Sequence, residues 1–458
     1  MRYVSTRGQA PVLNFEQAML SGLARDGGLY LPEKIPAFEG LETLDGLPYE
    51  EVAFRVIRPF TGDSFTDDEL RGAIDRAYGR IAHDARAPLV QLAPGHHLLE
   101  LFHGPTLAFK DFAMQLIAQL FEIALKRSGQ RVTIVGATSG DTGSAAIEAF
   151  RGIDNVDVFI MYPHGRVSEV QRRQMTTPPA ANVHALALTG HFDDCQARLK
   201  DLFNDHGFRD QVGLAGVNSI NWARVVAQIV YYFTATASLG MRPTDFCVPT
   251  GNFGDIFAGS IARRMGLPIR RLIVATNQND ILHRALSTGE YRVGEVEPSI
   301  SPSMDIQVSS NFERALYLAY GGDAGAIRQL MDELKAGGFA ISQGALETLR
   351  DEFRSGRVSE EETLATIARM RDATGEVLCP HSAVGVAVAE RHLEPGVPMV
   401  TLATAHPAKF PDAVERAIGL RPDLPPHMAG LFDLPERVTR VENDVDALKS
   451  LILERRTQ

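Results

Sequence analysis

Twice along this chain a short apolar run ends in a glycine-rich loop that opens directly into a helical pattern. That unit leaves few folds open. The first copy is Val132-Thr133-Ile134-Val135, then Gly136-Ala137-Thr138-Ser139-Gly140-Asp141-Thr142-Gly143, then a small-residue helix over 144–150. The second is Phe246-Cys247-Val248-Pro249, then Thr250-Gly251-Asn252-Phe253-Gly254-Asp255, then a helix over 256–265. Further strand patterns at 156–162, 183–188, 271–275 and 399–403 alternate with helical ones at 193–203, 222–239, 324–334 and 360–372. Such alternation predicts an α/β layer fold around a mostly parallel sheet. Ligands of these sheets bind outside the carboxyl ends of the strands, where both loops lie. Each loop begins a helix, whose free N–H groups and positive dipole end attract phosphate or carboxylate. Neither is a Walker loop or a GxGxxG fingerprint. Taken alone, each is as readily a structural turn as a ligand site.

A lysine changes that balance. In His103-Gly104-Pro105-Thr106-Leu107-Ala108-Phe109-Lys110-Asp111-Phe112, Lys110 stands just before an amphipathic segment. Ala113, Leu116, Ile117, Leu120, Phe121, Ala124 and Leu125 form one helical face, and Gly129 ends it. Asp111 reads as a helix cap or a first-turn acid. Lys110, beside Phe109 and Phe112 near a positive helix end, is disposed toward the neutral amine, the form that condenses with a carbonyl. The ordinary alternative is a lysine snorkelling at a helix start. Two anion loops and a partly buried lysine together suit a phosphorylated aldehyde cofactor that takes an anionic substrate, which describes pyridoxal phosphate (PLP).

With 458 residues there is chain for two or three domains. The boundaries drawn from pattern are an N-terminal subdomain at 1–98, α/β domains at 99–215 and 216–425, and a tail at 426–458 with a short helix near 446–454. The net charge of -11 argues against a nucleic-acid or anionic-membrane partner, so any phosphate recognition is local. No stretch approaches the ~20 apolar residues of a membrane span. The first residues, Met1-Arg2-Tyr3-Val4-Ser5-Thr6-Arg7-Gly8-Gln9, are polar and carry no signal-peptide pattern. Cys195, Cys247 and Cys379 are far apart, which predicts neither disulfides nor a cysteine metal site and suits the cytoplasm.

Tyr3-Val4-Ser5-Thr6-Arg7-Gly8, Ala24-Arg25-Asp26-Gly27-Gly28-Leu29-Tyr30, the Lys110 stretch, Thr138 to Gly143, Gly251 to Asp255 and Thr404-Ala405-His406-Pro407-Ala408-Lys409-Phe410 occur in this order. Together they resemble the threonine synthase family, in its longer bacterial and fungal type. The resemblance implies a fold-type II PLP enzyme, tryptophan synthase β-like, with two open α/β domains plus an N-terminal subdomain. It implies a carbon–oxygen lyase that converts O-phospho-L-homoserine and water into L-threonine and phosphate by γ-elimination and β-addition, the last step of threonine biosynthesis. A dehydratase or β-replacement enzyme of the same fold, and a non-catalytic binder of phosphorylated metabolites, are the alternatives.

Carried onto this chain, the resemblance makes Lys110 the Schiff-base lysine, and Gly251, Asn252, Phe253, Gly254 and Asp255 the loop for the cofactor phosphate. Thr404 is the partner of the pyridine nitrogen, and Asp141 stands where many relatives have Asn facing the 3′ oxygen. Thr138, Ser139, Gly140 and Thr142 match the substrate carboxylate loop. Asn218, Ser219 and Arg224 match the segment that holds the substrate phosphate, with Arg224 its charge partner. His103 and His406 are expected to satisfy backbone groups, the role of His381 is not readable, and monomer and homodimer both stay open.

Overall fold

The computed structural model describes residues 1–457. Two open sheets organise the chain. The larger has six strands in the order Phe353–Arg357, Ile269–Thr276, Thr244–Pro249, Met399–Ala403, His96–Glu100, Leu89–Ala93, all parallel except the last. The smaller has five parallel strands, Thr439–Val441, Val183–Leu188, Val156–Pro163, Val132–Ala137 and Leu214–Ala215. Helices cover both, as parallel sheets require. Both glycine-rich loops leave the carboxyl ends of central strands, one in each sheet.

The Lys110–Ser128 helix is buried against the helices Asp67–Tyr78, Asp141–Phe150 and Trp222–Ser238, and it ends at Gly129, whose φ of 67° is left-handed as the sequence predicts. Beside it runs the Trp222–Ser238 helix, buried almost all round. Onto that second helix the N-terminal segment packs its aromatic residues: Tyr3 and Phe60 lie 6.1 and 6.0 Å from Trp222, and Phe15 lies 6.0 Å from Tyr3. Burying each such ring stabilises the packing by roughly 1.5–3 kcal/mol. Residues 1–78 are thereby fastened to the core that carries the site.

The boundaries drawn from pattern cut across the sheets. Residues 89–93 form a hairpin strand, and His96–Glu100 pairs with Met399–Ala403, so the cut at 98 falls inside a strand. His96 lies in this strand without an apolar run to mark it, because its ring is buried and bonded to Thr401 Oγ1 at 2.9 Å. At the other end, Thr439–Val441 rejoins the smaller sheet and the Val445–Arg455 helix buries Leu448 and Ile452 against Leu186 and Leu188. The chain thus leaves each layer and returns to it. Among the described residues, no helix is long and apolar enough to cross a membrane.

Candidate active site

Lys110 begins its helix because the residues before it are stitched to the end of the Met399–Ala403 strand. Phe109 N–H donates to Thr404 O (2.9 Å), His406 N–H to Leu107 O (3.0 Å), and Ala108 bridges Ala405. The helix has Phe109 at its N-cap with no side-chain cap, so Asp111 is a first-turn acid and not the cap. Its carboxylate instead takes Thr106 N–H (2.8 Å) and Thr106 Oγ1 (2.7 Å), closing the turn before Lys110. Lys110 is nearly buried, and burial lowers its amine pKa. Asp141 opposes that shift, while Lys409 and Arg224 add to it. A lowered value enlarges the neutral fraction, as the sequence led us to expect.

Asp141 opens the helix after the first glycine loop, and four side chains converge on its carboxylate. Lys110 Nζ lies 3.2 Å from Oδ2, Lys409 Nζ lies 2.9 Å from Oδ1, Gln171 Nε2 donates to Oδ1 (2.9 Å) and Ser303 Oγ to Oδ2 (3.2 Å). Burial alone would raise this carboxyl, but the two lysines, helped by the Gln171 amide, hold it well below the usual carboxylate range. Asp141 is therefore an anion. The loop itself is shaped from within: Thr138 Oγ1 accepts the N–H groups of Gly140 and Gly143, both at 2.9 Å. Gly140 has φ 133°, and a Cβ there would lie 2.3 Å from Gln171 Cδ, so only glycine serves.

The second loop turns through Phe253, a buried non-glycine residue at φ 62°, and delivers its N–H groups at the start of the Gly254–Arg264 helix. Gly251 is required for packing as well as for ligand approach, since a Cβ would sit 2.5 Å from Ser303 O. Asp255 is buried beneath the loop and accepts from Tyr231 (2.5 Å) and Tyr232 (3.0 Å) at Oδ1. Burial pushes its carboxyl up to about 7, against the pull of both tyrosines, Lys110 and Arg224. An acid raised on folding binds its proton more tightly in the native state, so the native state loses stability as pH climbs from about 4 to 7. Replacing Asp255 with Asn should therefore stabilise the cofactor-free protein at pH 8, by at most about 4 kcal/mol for a shift of about three units. Denaturant titrations from pH 4 to 8 should show the gain growing with pH; an equal gain throughout would contradict it.

Residues 218–224 divide by role. Asn221 caps the Trp222–Ser238 helix through Ala223 N–H and ties Met19 O and Gly216 O, so it is structural. Asn218 and Ser219 line a cavity of about 380 Å³ together with Lys110, Thr138, Ser139 and Thr142. Arg224 lies instead on a smaller cavity of about 80 Å³, with the 250–255 loop, Thr404 and His381. Lys110, Thr142, Ser219, Asn252 and Ser303 border both. Arg314, fully buried, ties Tyr30 O (2.7 Å) and Ile220 O (2.6 Å) and reaches Asn311, whose amide binds Ser219 O and Asn252 O. One guanidinium thus joins the N-terminal segment, the 218–224 segment and the second loop.

Sequence reasoning missed Ser303, Lys409, Gln171 and the placement of His381. The 294–304 stretch ends buried at Ser301 and Met304. Asp305 anchors it by accepting from Ser299, Asn277 and Asn279. No periodicity marks such a hydrogen-bonded loop. His381 Nε2 accepts Ser303 N–H (3.1 Å), and burial lowers its pKa to about 3 against the pull of Asp141. The ring is neutral and carries its proton on Nδ1. His406 Nδ1 accepts Ala408 N–H (3.1 Å), a backbone role as expected; His103 instead pairs with Glu100 (2.7 Å).

Three buried polar atoms around the smaller cavity, Arg224 Nε, Asp255 Oδ2 and His381 Nδ1, have no hydrogen-bond partner among the described residues. Buried polar groups are ordinarily satisfied. A polar ligand with an anionic end, set at a helix N-terminus and within reach of an amine, suits the two donors, Arg224 Nε and His381 Nδ1, and pyridoxal phosphate fits that description. The lysine between two parallel layers, each with its own anion loop, is the arrangement of the fold-type II PLP-dependent enzymes. The chain matches the family described as pyridoxal-phosphate dependent enzyme over 85–330.

On either side it matches the threonine synthase N terminus (2–78) and the threonine synthase C-terminal region (382–452). The chain belongs to the threonine synthase family. It is 55% identical over 459 residues to a threonine synthase of Pseudomonas aeruginosa, covering 99% of this chain and 98% of that one. The crystal structure of PLP-bound threonine synthase from Brucella melitensis superposes with a TM-score of 0.96 at 54% identity, over 100% of both chains. That of yeast threonine synthase gives 0.93 at 40% identity, over 99% and 98%. Matches at both ends, outside the part shared with other PLP enzymes, favour this family over a dehydratase, a β-replacement enzyme or a non-catalytic binder.

Proposed function

We propose that the chain converts O-phospho-L-homoserine and water to L-threonine and phosphate, with PLP held as a Schiff base on Lys110, in the cytoplasm. The observation that carries the reading is Lys110 on the wall common to the two cavities, with one anion loop on either side. When bound, PLP supplies a carbonyl for the amine and a conjugated ring that accepts the electron pairs left by departing protons. Gly251, Asn252, Phe253, Gly254 and Asp255 hold its phosphate at the helix N-terminus, and Arg224 adds the charge from the side. At that end burial raises the Asp255 carboxyl to about 7, which weakens the repulsion between carboxylate and phosphate. Thr404 serves the ring nitrogen, and Asp141 stays anionic near Lys110.

The substrate occupies the larger cavity. Its carboxylate is received by Ser139, Gly140 and Thr142, with Thr138 holding the loop in shape. Its phosphate lies toward Asn218 and Ser219, which line that cavity and bring an amide NH2 and a hydroxyl as donors. Lys110 Nζ would take the proton from the substrate Cα and return one at the end; its lowered pKa suits a general base. The three cysteines are free and buried, which suits a reducing compartment. Purified protein given O-phospho-L-homoserine should release inorganic phosphate and threonine in equal amounts, and should leave threonine itself intact. Formation of 2-oxobutyrate from threonine, with no phosphate release from O-phospho-L-homoserine, would overturn this reading.

A further inference from the structure

Lys409 is fully buried, lines neither cavity, and has no part in the chemistry above. Its ammonium nevertheless has defined partners: Asp141 Oδ1 at 2.9 Å and Thr106 O at 2.7 Å. Thr106 is in turn held by Asp111, and Ser168 Oγ donates to Lys409 O (2.9 Å), fixing the turn that presents the lysine. A buried cation persists only when its charge is answered. Here the answering carboxylate is shared: Oδ1 faces Lys409 and Gln171, Oδ2 faces Lys110 and Ser303.

We infer that Lys409 is a positioning residue for Lys110, taking up one side of the Asp141 carboxylate so that the Lys110 nitrogen is not left to answer that charge alone. Were Lys409 neutral, Asp141 would have Lys110 as its single nearby lysine and would hold a proton on that nitrogen. The remaining charged or titratable groups around the pair are Arg224, Asp111, Asp255, His381 and Cys379. Of these, none bonds to Asp141 in the place of Lys409. Burial lowers the Lys110 amine, and Lys409 contributes in the same direction while Asp141 opposes, which agrees with the geometry.

The inference rests on Lys110 carrying the cofactor. The test is the pH midpoint of the visible absorption band of the cofactor-loaded full chain, in wild type, K409M, K409Q and K409M/D141N. Loss of a nearby cation should raise the midpoint in K409M by about one unit or more, the scale of a close charge on a titrating group. K409Q should move in the same direction, and it replaces K409M should the latter fail to fold. The double variant removes both charges and should return the midpoint close to wild type. A Lys110-dependent band whose midpoint is unmoved by either Lys409 variant, or a double variant that keeps the full single-variant shift, overturns the inference and leaves the cofactor assignment standing. A wild-type band that survives Lys110→Ala overturns both.

Discussion

Lys110→Ala should abolish turnover of O-phospho-L-homoserine, a loss of at least about 10³-fold, and should also abolish covalent retention of the cofactor after borohydride treatment. A positioned acid–base group contributes about 10²–10⁴-fold, and here the same nitrogen is also the attachment point. The variant should still fold. Asp141 keeps Lys409 at 2.9 Å and Gln171 at 2.9 Å, so truncating Lys110 does not strand a buried carboxylate. The helix start is held by Phe109 N–H on Thr404 O and by Asp111 on Thr106, neither of which involves the lysine side chain. An unchanged unfolding midpoint beside the lost activity would separate chemistry from stability. Activity within tenfold of wild type, or cofactor still fixed to the chain, would show the amine assignment to be wrong.

Arg224→Ala decides which phosphate this side chain serves. The sequence resemblance pointed to the substrate phosphate, whereas its position beside the 250–255 loop favours the cofactor's. Burial lowers its pKa only to about 10, so the guanidinium is charged at neutral pH, and its Nε has no partner among the described residues. Among the described residues, its guanidinium makes one hydrogen bond, a long one from Nη1 to Val217 O at 3.4 Å. A charge-assisted bond contributes about 1.5–3 kcal/mol, which corresponds to roughly 10–150-fold. PLP affinity measured by equilibrium titration should therefore fall by that factor. The KM for O-phospho-L-homoserine at saturating PLP should stay within about threefold. A large rise in KM with unchanged PLP affinity would restore the substrate assignment.

Much of the fold was legible because its signals are local. Apolar runs of four to eight residues followed by Gly-rich loops mark buried parallel strands, and the Lys110 helix shows its face and its stop within one stretch. The Val445–Arg455 helix was read correctly as a helix but left in a loose tail, since nothing in its sequence says which sheet Leu448 and Ile452 will meet. His96–Glu100 went unseen for the opposite reason: a polar residue in a core strand is explained only by its partner Thr401, 305 positions away. Among candidate site residues, the two loops and Lys110 carry local signals that point to a site only in combination, while Asp141 came from the family resemblance.

Ser303 and Lys409 reach Asp141 across 162 and 268 positions of chain, and no spacing rule relates residues so far apart. The same limit held for Asp141 itself. Its charge depends on the cations around it, which burial makes strong and folding alone assembles. Composition and periodicity therefore settle what each segment becomes, since those depend on neighbours three or four residues away. Which charges meet, and hence which nitrogen is free to react, depends on contacts made after the two layers close on one another.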